Sequence, residues 1–229
     1  MLKACTLIKR KTGMDVEAFQ TYWLGTHASI VKQLPFVKRY VQSHPLPGGY
    51  RKTDLIYDGL AEVWIDDTNA LRSMASTDSY RAVTKDEEKF INTPNTVLLL
   101  TEEHVIKDGE ISKNGVKSIE FVTRKNGMDV QEFQDYWKNI HGPIASQMST
   151  VQKYVQSHTK LAGYKRSARP KWDGIATTWF ESVDQMRQGV GTPEYERTRA
   201  DGINFVDTTK FIKRENNDSP TNNTHCRLQ

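Results

Sequence analysis

Apolar and polar positions along this chain switch between the period of a strand and the period of a helix, and the switches come in the same order in both halves. Residues 2–9 are an apolar and β-branched run, the pattern of a buried strand. Asp15 can cap a helix whose apolar positions Phe19, Trp23, Ile30, Val31 and Leu34 keep helical spacing. Strand character returns over 36–44 and 58–66, residues 70–92 read as helical or irregular, and 96–106 closes as a strand. The second half follows suit with a strand over 117–124 and a helix over 129–148, opened by the capping box Asp129-x-x-Glu132. Strands over 151–158 and 173–181, a helical stretch over 184–205 and a last strand over 208–214 complete it. This βαββαβ order predicts an α+β fold of two ferredoxin-like plaits, each an antiparallel sheet with helices on one side.

The repeat is also written in the residues. Aligned at a constant offset of 114, residues 10–44 and 124–158 agree at 19 of 35 positions, including Gly13-Met14-Asp15-Val16 with Gly127-Met128-Asp129-Val130. After a one-residue slip the match continues, pairing Asp58-Gly59 with Asp173-Gly174, Trp64 with Trp179, Asp86 with Asp201 and Phe90 with Phe205. A period of this length is the size of a small domain, too long for a solenoid or propeller unit. The sequence therefore predicts a first domain over 1–106, a polar linker over 107–115, a second domain over 116–215 and a disordered polar tail over 216–229. Each sheet leaves one apolar face uncovered. The other copy is its nearest partner, so the two plaits are expected to pack sheet to sheet as an intrachain, pseudo-dimeric α+β barrel, with a homodimer of the whole chain as a further possibility.

Composition narrows the class without naming an activity. The hydrophobic share of 37% is ordinary for a globular chain, and there is neither an apolar run long enough for a membrane span nor a signal-peptide core, which makes the cytoplasm the expected location. A net charge of +4 with acids and bases interspersed predicts no nucleic-acid partner and no membrane partner. Cys5 and Cys226 lie in unrelated contexts, giving neither a disulfide framework nor metal-ligand spacing. No phosphate-binding loop, dinucleotide fingerprint, zinc motif or Ser-His-Asp constellation is present, so no metal and no cofactor are expected.

Four of the six histidines fall in two equivalent pairs, His27 with His44 and His141 with His158. Phe19, Trp23 and His27 are spaced i, i+4, i+8, which sets the imidazole on the apolar stripe of its helix, and Phe133, Trp137 and His141 do the same. A core histidine satisfied by backbone groups is one reading of that placement. A base poised near neutral pH is the other, and its recurrence in both copies favours it. In the following strand Tyr40, Gln42 and His44 share one face, as do Tyr154, Gln156 and His158; that face looks either toward the helix as a pocket lining or toward a neighbouring sheet. Tyr22, Trp23, Tyr136 and Trp137 would be the pocket walls, and Tyr80 and Tyr195 either close its mouth or pack. After His141, Gly142-Pro143 is expected to interrupt the helix and free backbone N–H groups, making the His141 side the better oxyanion site.

The run Gly-Met-Asp-Val-x-x-Phe-Gln-x-Tyr-Trp-x-x-x-His at 13–27 and 127–141, followed by a Tyr-Val strand and an Asp-Gly strand with Trp64 or Trp179, resembles the EthD-like family of dimeric α+β barrel proteins. The resemblance covers both halves and implies the plait and the barrel, while the wider superfamily holds lactone isomerases, polyketide cyclases, cofactor-free oxygenases and haem-binding members. With that resemblance, the residues point to a cofactor-independent isomerase or lyase in which His27 and His141 act as bases on a small hydrophobic, carbonyl-bearing or phenolic metabolite. Tyr22, Trp23, Tyr40, Gln42 and His44, with Tyr136, Trp137, Tyr154, Gln156 and His158, would bind it. An oxygenase or haem-binding barrel of aromatic catabolism, or a ligand-binding accessory protein without turnover, is the alternative.

Overall fold

The computed structural model describes residues 1–51, 55–165, 169–209 and 224–228. The chain divides into two units, Met1–Pro45 with Thr53–Thr101 and Leu46–Lys52 with Glu102–Leu228. Among the described residues no helix is long and apolar enough to cross a membrane.

In the first unit β1 (Leu2–Ile8) pairs antiparallel with β3 (Gly59–Ile65) on one side and with β4 (Val97–Lys107) on the other, and β3 pairs with β2 (Arg39–Pro45). Between β1 and β2 run α1 (Val16–Tyr22), a π-helical turn (Trp23–His27) and α2 (Ala28–Val31); between β3 and β4 run α3 (Thr68–Ala75) and α4 (Asp78–Glu87). Asp15 caps α1, accepting from the N–H groups of Glu17 and Ala18, as the sequence predicts. The helices cover one sheet face with a core of Ile8, Phe19, Trp23, Ala61, Phe90 and Ile91.

The second unit repeats the plan. Its β5 (Val116–Val122) pairs with β7 (Gly174–Phe180), which pairs with β6 (Val151–Thr159). The helical segments are α5 (Val130–Tyr136), a π-helical turn (Trp137–His141), α6 (Gly142–Ser146), α7 (Val183–Gly189) and α8 (Pro193–Gly202). Their core is built from Phe133, Trp137, Ala145, Val151, Tyr154 and Phe205. The α+β plait expected from the periodicity is thus present in both units.

Two boundaries differ from the sequence reading. The end of β4 belongs to the second unit, where Ile106 joins the core and Lys107 Nζ donates to the Met148 carbonyl at 3.0 Å. Composition alone showed where the polar linker begins, not which core the preceding strand enters. Secondly, the tail expected to be disordered supplies β8 (Thr224–Leu228), antiparallel to the free edge of β5 with Lys117 opposite Cys226. A sheet edge offers unpaired N–H and C=O groups, and that demand recruits a segment whose own polarity argues against a strand. The strand expected over 208–214 lies outside the described residues from 210 onward; Val206 makes only an isolated bridge to Arg124.

The Asp-Gly dipeptides shared by the repeats have separate physical reasons. Asp58 and Asp173 are wholly buried and take the guanidinium groups of Arg10 and Arg124, tying the end of β1 to the start of β3 and the end of β5 to that of β7. Gly59 and Gly174 lie directly under the indole rings of Trp23 and Trp137, where a Cβ would collide with the ring. Gly59→Ala is therefore expected to force the buried indole aside and cost about 1–3 kcal/mol, as overpacked cores do. A thermal melt unchanged from that of the unsubstituted protein would contradict the close approach.

Candidate functional site

Each unit centres on a carboxylate delivered by its last long helix to the histidine of its π-helical turn. In the first unit His27 Nδ1 lies 2.9 Å from Asp86 Oδ2, Tyr22 Oη donates to Asp86 Oδ1 at 2.7 Å, and Lys89 Nζ donates to the same oxygen at 2.9 Å. In the second, His141 Nδ1 lies 2.8 Å from Asp201 Oδ2 and Tyr136 Oη donates to Asp201 Oδ1 at 2.7 Å, with Asn204 in the place of Lys89. Phe90 and Phe205 back the imidazoles, with ring centroids 4.7 and 4.6 Å away. A carboxylate only accepts, so Nδ1 carries the proton of a neutral imidazole and Nε2 carries the basic lone pair.

Charge in the cluster is arranged to keep the imidazole neutral and the carboxylate ionised. Burial lowers the pKa of His27 and His141, working against the hydrogen bond to Asp86 or Asp201, which raises it. Burial also pushes Asp86 up, but the hydrogen bonds from Lys89, Tyr22 and His27 outweigh it and hold this carboxyl below its usual value. Asp201 is held down in the same way by Tyr136, His141 and Asn204.

The local sequence explains how the histidine is aimed. From Trp to His both helices widen into a π turn, in which the Ala28 N–H reaches the Trp23 carbonyl and the Gly142 N–H reaches the Trp137 carbonyl. Such single wide turns inside α-helices recur at functional sites, since the extra residue re-aims the side chains that follow. The expectation that Gly142-Pro143 breaks the helix and frees N–H groups is corrected here. The Gly142 N–H is bonded, Pro143 sits in the first turn of α6 where its missing N–H costs nothing, and the first unit makes the same turn with Ala28-Ser29. Gly142 is there for space, because a Cβ would come within 3.0 Å of Ile106 and 3.2 Å of Gln156.

The polar row of the second strand faces the helices, not a neighbouring sheet. Gln42 Nε2 donates to the Trp23 carbonyl at 2.9 Å and to Tyr40 Oη at 2.8 Å, and its Oε1 accepts from His44 Nε2 at 2.9 Å. Gln156 does the same with Trp137, Tyr154 and His158, whose ring stacks on Trp137 at 4.5 Å. Trp23 packs on His44 at 4.3 Å, so each indole joins the row to the helix that carries the paired histidine. Tyr80 and Tyr195 stand in the first turns of α4 and α8, half-buried, their N–H groups bonded to Thr77 and Thr192. Asp86, Asp201 and Lys89 were not singled out from sequence, although Asp86 and Asp201 are a matched pair of the repeat.

His44 and His158 are buried neutral histidines, and this has a pH consequence. Burial lowers His44 to about 4, and burial with the nearby charges of His104 and Lys138 lowers His158 to about 3. The unfolded chain takes up protons at these rings near pH 6.5, which the folded chain refuses until far lower pH. Their contribution to stability is therefore complete above about pH 6.5 and is lost as pH falls toward 4 and 3. A His44→Asn/His158→Asn variant is expected to lose less stability than the unsubstituted protein between pH 7 and pH 4.5. Parallel urea midpoints for the two proteins would show that these rings do not titrate differently on folding.

The EthD domain family profile matches residues 11–94 and 125–209, more than half of the chain, which therefore belongs to the EthD family, of the dimeric α+β barrel fold class. No curated protein matches it. An anthrone oxidase-like protein superposes on 100% of this chain and 91% of its own with a TM-score of 0.60 at 11% identity. A candidate monooxygenase from Lactobacillus acidophilus NCFM does so over 100% and 92% with a TM-score of 0.54 at 10% identity. An EthD family protein from Bacillus halodurans C-125 is 24% identical over 45% of this chain and 99% of its own, with a TM-score of 0.39. At these identities the likeness is one of fold.

Proposed function

We propose that this protein is a cofactor-independent isomerase or lyase in which His27 and His141 act as general bases on a small hydrophobic, carbonyl-bearing or phenolic metabolite. The observation that carries the reading is the His-Asp-Tyr cluster, built twice in one chain at a π turn. Asp86 or Asp201 fixes the tautomer, so that Nε2 takes the proton, and stabilises the imidazolium that forms. The neighbouring aromatic side chains favour a flat apolar substrate. Reprotonation elsewhere on the resulting enolate isomerises it, and departure of a group beside it completes an elimination.

The reading is tested by following deuterium exchange from D2O into 2-tetralone by NMR. The His27→Ala/His141→Ala variant is expected to lose about 100- to 10,000-fold of the exchange rate, the usual worth of a general base. Because burial sets both histidines below 6.5, the rate of the unsubstituted protein is expected to fall only as pH drops through a value under 6.5. Exchange no faster than in buffer for this ketone and for related carbonyl compounds would count against the reading, as would a folded double variant with full activity.

A second reading draws on the whole-chain structural neighbours, one anthrone oxidase-like and one a candidate monooxygenase. The same base would deprotonate a phenolic or anthrone-type substrate, and dioxygen would then oxidise the carbanion. Oxygen uptake with anthrone that depends on His27 or His141 would favour this outcome over isomerisation.

A further inference from the structure

The two His-Asp-Tyr clusters differ at the third donor to the carboxylate, and the difference is one of charge. In the first unit Lys89 Nζ donates to Asp86 Oδ1 at 2.9 Å, while Oδ2 of the same carboxylate lies 2.9 Å from His27 Nδ1. In the second unit the matching residue is Asn204, whose Nδ2 donates to Asp201 Oδ1 at 3.2 Å and to Tyr136 Oη at 3.1 Å. The histidine, the aspartate, the tyrosine and the phenylalanine behind the imidazole are the same in both. A cation in one unit thus stands where a neutral amide stands in the other.

A proton taken up at Nε2 of His27 puts two cations, the imidazolium and Lys89, on one carboxylate. The same step at His141 forms a neutral ion pair with Asp201, and a like charge close by disfavours the charged form of a group. The other titratable and charged neighbours of each ring do not reverse this. Tyr22 and Tyr136 stay neutral, their ionisation raised by the hydrogen bond to the carboxylate, and so do Tyr40 and Tyr154, raised by burial. Glu87 ends α4 beside Asp86, where the second unit has Gly202. Burial and the Asp86 charge push Glu87 up to about 7, so it is mostly protonated below 6.5, where burial places the titration of His27 and His141. His44 and His158, which pack on the indoles, are kept neutral by burial to about 4 and about 3. Lys138, on the π turn of the second unit, is exposed, and its charge falls on His104 and His158.

We infer that Lys89 and Asn204 set the duplicated histidines to different strengths as bases, His27 the weaker and His141 the stronger. Neither Lys89 nor Asn204 touches a reacting atom; each is a positioning residue that acts through the carboxylate. The consequence for turnover rests on the general-base reading, whereas the difference in basicity does not. The first unit keeps a free lone pair at a pH where His141 is already protonated. At higher pH both lone pairs are free, and the stronger base takes a given proton faster. Two copies of one motif then cover a wider pH range than either does alone.

The histidine Cε1–H resonances of the full chain, assigned by their loss in His27→Ala and His141→Ala, report the two titration midpoints by NMR. At low salt His27 is expected to titrate at least about 0.3 pH unit below His141, the scale for one unit charge about 8 Å away in water. Lys89→Asn is expected to raise the His27 midpoint by a similar amount, Lys89→Arg to leave it low, and Asn204→Lys to lower that of His141. In the deuterium-exchange assay the His141→Ala variant is expected to lose its remaining rate at a lower pH than the His27→Ala variant. Equal midpoints in the unsubstituted protein, including two rings that both stay neutral until the chain unfolds, would overturn the inference. So would a His27 midpoint that does not follow the charge at residue 89 in folded variants. The general-base reading fails separately: an unchanged exchange rate in the His27→Ala/His141→Ala variant would defeat it while the charge-dependent midpoints stood.

Discussion

Asp86→Asn combined with Asp201→Asn is expected to lower turnover by about 100- to 10,000-fold while leaving the fold and substrate affinity nearly intact. In the native cluster each carboxylate accepts from His Nδ1 and from a tyrosine hydroxyl, with Lys89 or Asn204 as a further donor. An asparagine of the same shape can turn its NH2 toward Nδ1, which then carries the lone pair and moves the proton to Nε2. The imidazole remains in place but presents an N–H where the substrate needs a base. Tyr22→Phe removes one hydrogen bond from the carboxylate and leaves the tautomer alone, so its loss is expected to be far smaller, near the fivefold set by about 1 kcal/mol. Steady-state kinetics with circular dichroism on each variant separate these outcomes. Full turnover in the Asp86→Asn/Asp201→Asn variant, with His27 and His141 still essential, would make the carboxylates packing partners only.

The periodicity made the plait legible, and the repeat did most of the remaining work. Residues matched at a constant offset identified the caps Asp15 and Asp129, which open the first helix of each unit, and the Phe-Trp-His stripe and Tyr-Gln-His row, which the structure brings together around Trp23 and Trp137. The facing of that row was beyond reach, because a strand's alternation separates two faces without saying which one meets the helices. The partner of the histidine was hidden for a related reason. His27 and Asp86 are 59 residues apart, and only tertiary packing lays the last turn of α4 against the π turn. Their shared signal was the joint recurrence of Tyr, His and a distant Asp in both halves. The π turn itself left no mark that spacing could show, and the Gly142-Pro143 pair suggested a break where close packing against Ile106 was the cause.

Asp58→Ala is expected to cost about 3–5 kcal/mol of stability, the scale for removing one partner of a buried ion pair. The carboxylate is wholly buried, accepts the Arg10 backbone N–H at 3.0 Å, pairs with the Arg10 guanidinium, and lies 3.1 Å from Lys9 Nζ. Truncation takes the carboxylate away from a largely buried guanidinium, which keeps the Met14 carbonyl at its Nε, and from a backbone donor at the corner where β1 meets β3. For a chain of this size that loss corresponds to a fall in melting temperature of about 6–20 °C. Asp173 takes the Arg124 N–H at 2.8 Å, the Arg124 guanidinium at 2.5 Å, and further donors from Tyr164 and Arg169, each at 2.8 Å. With more donors orphaned, Asp173→Ala is expected to cost at least as much as Asp58→Ala. The exposed pair Lys38–Asp66, with side chains 53% and 60% exposed, is the control, and Asp66→Ala is expected to change stability by under about 1 kcal/mol. Chemical denaturation of the three variants reads the contrast directly. Asp58→Ala and Asp173→Ala curves lying with that of Asp66→Ala would mean that the Arg-Asp corners do not hold the sheets, and that the Asp-Gly repeat serves only to make room for the tryptophans.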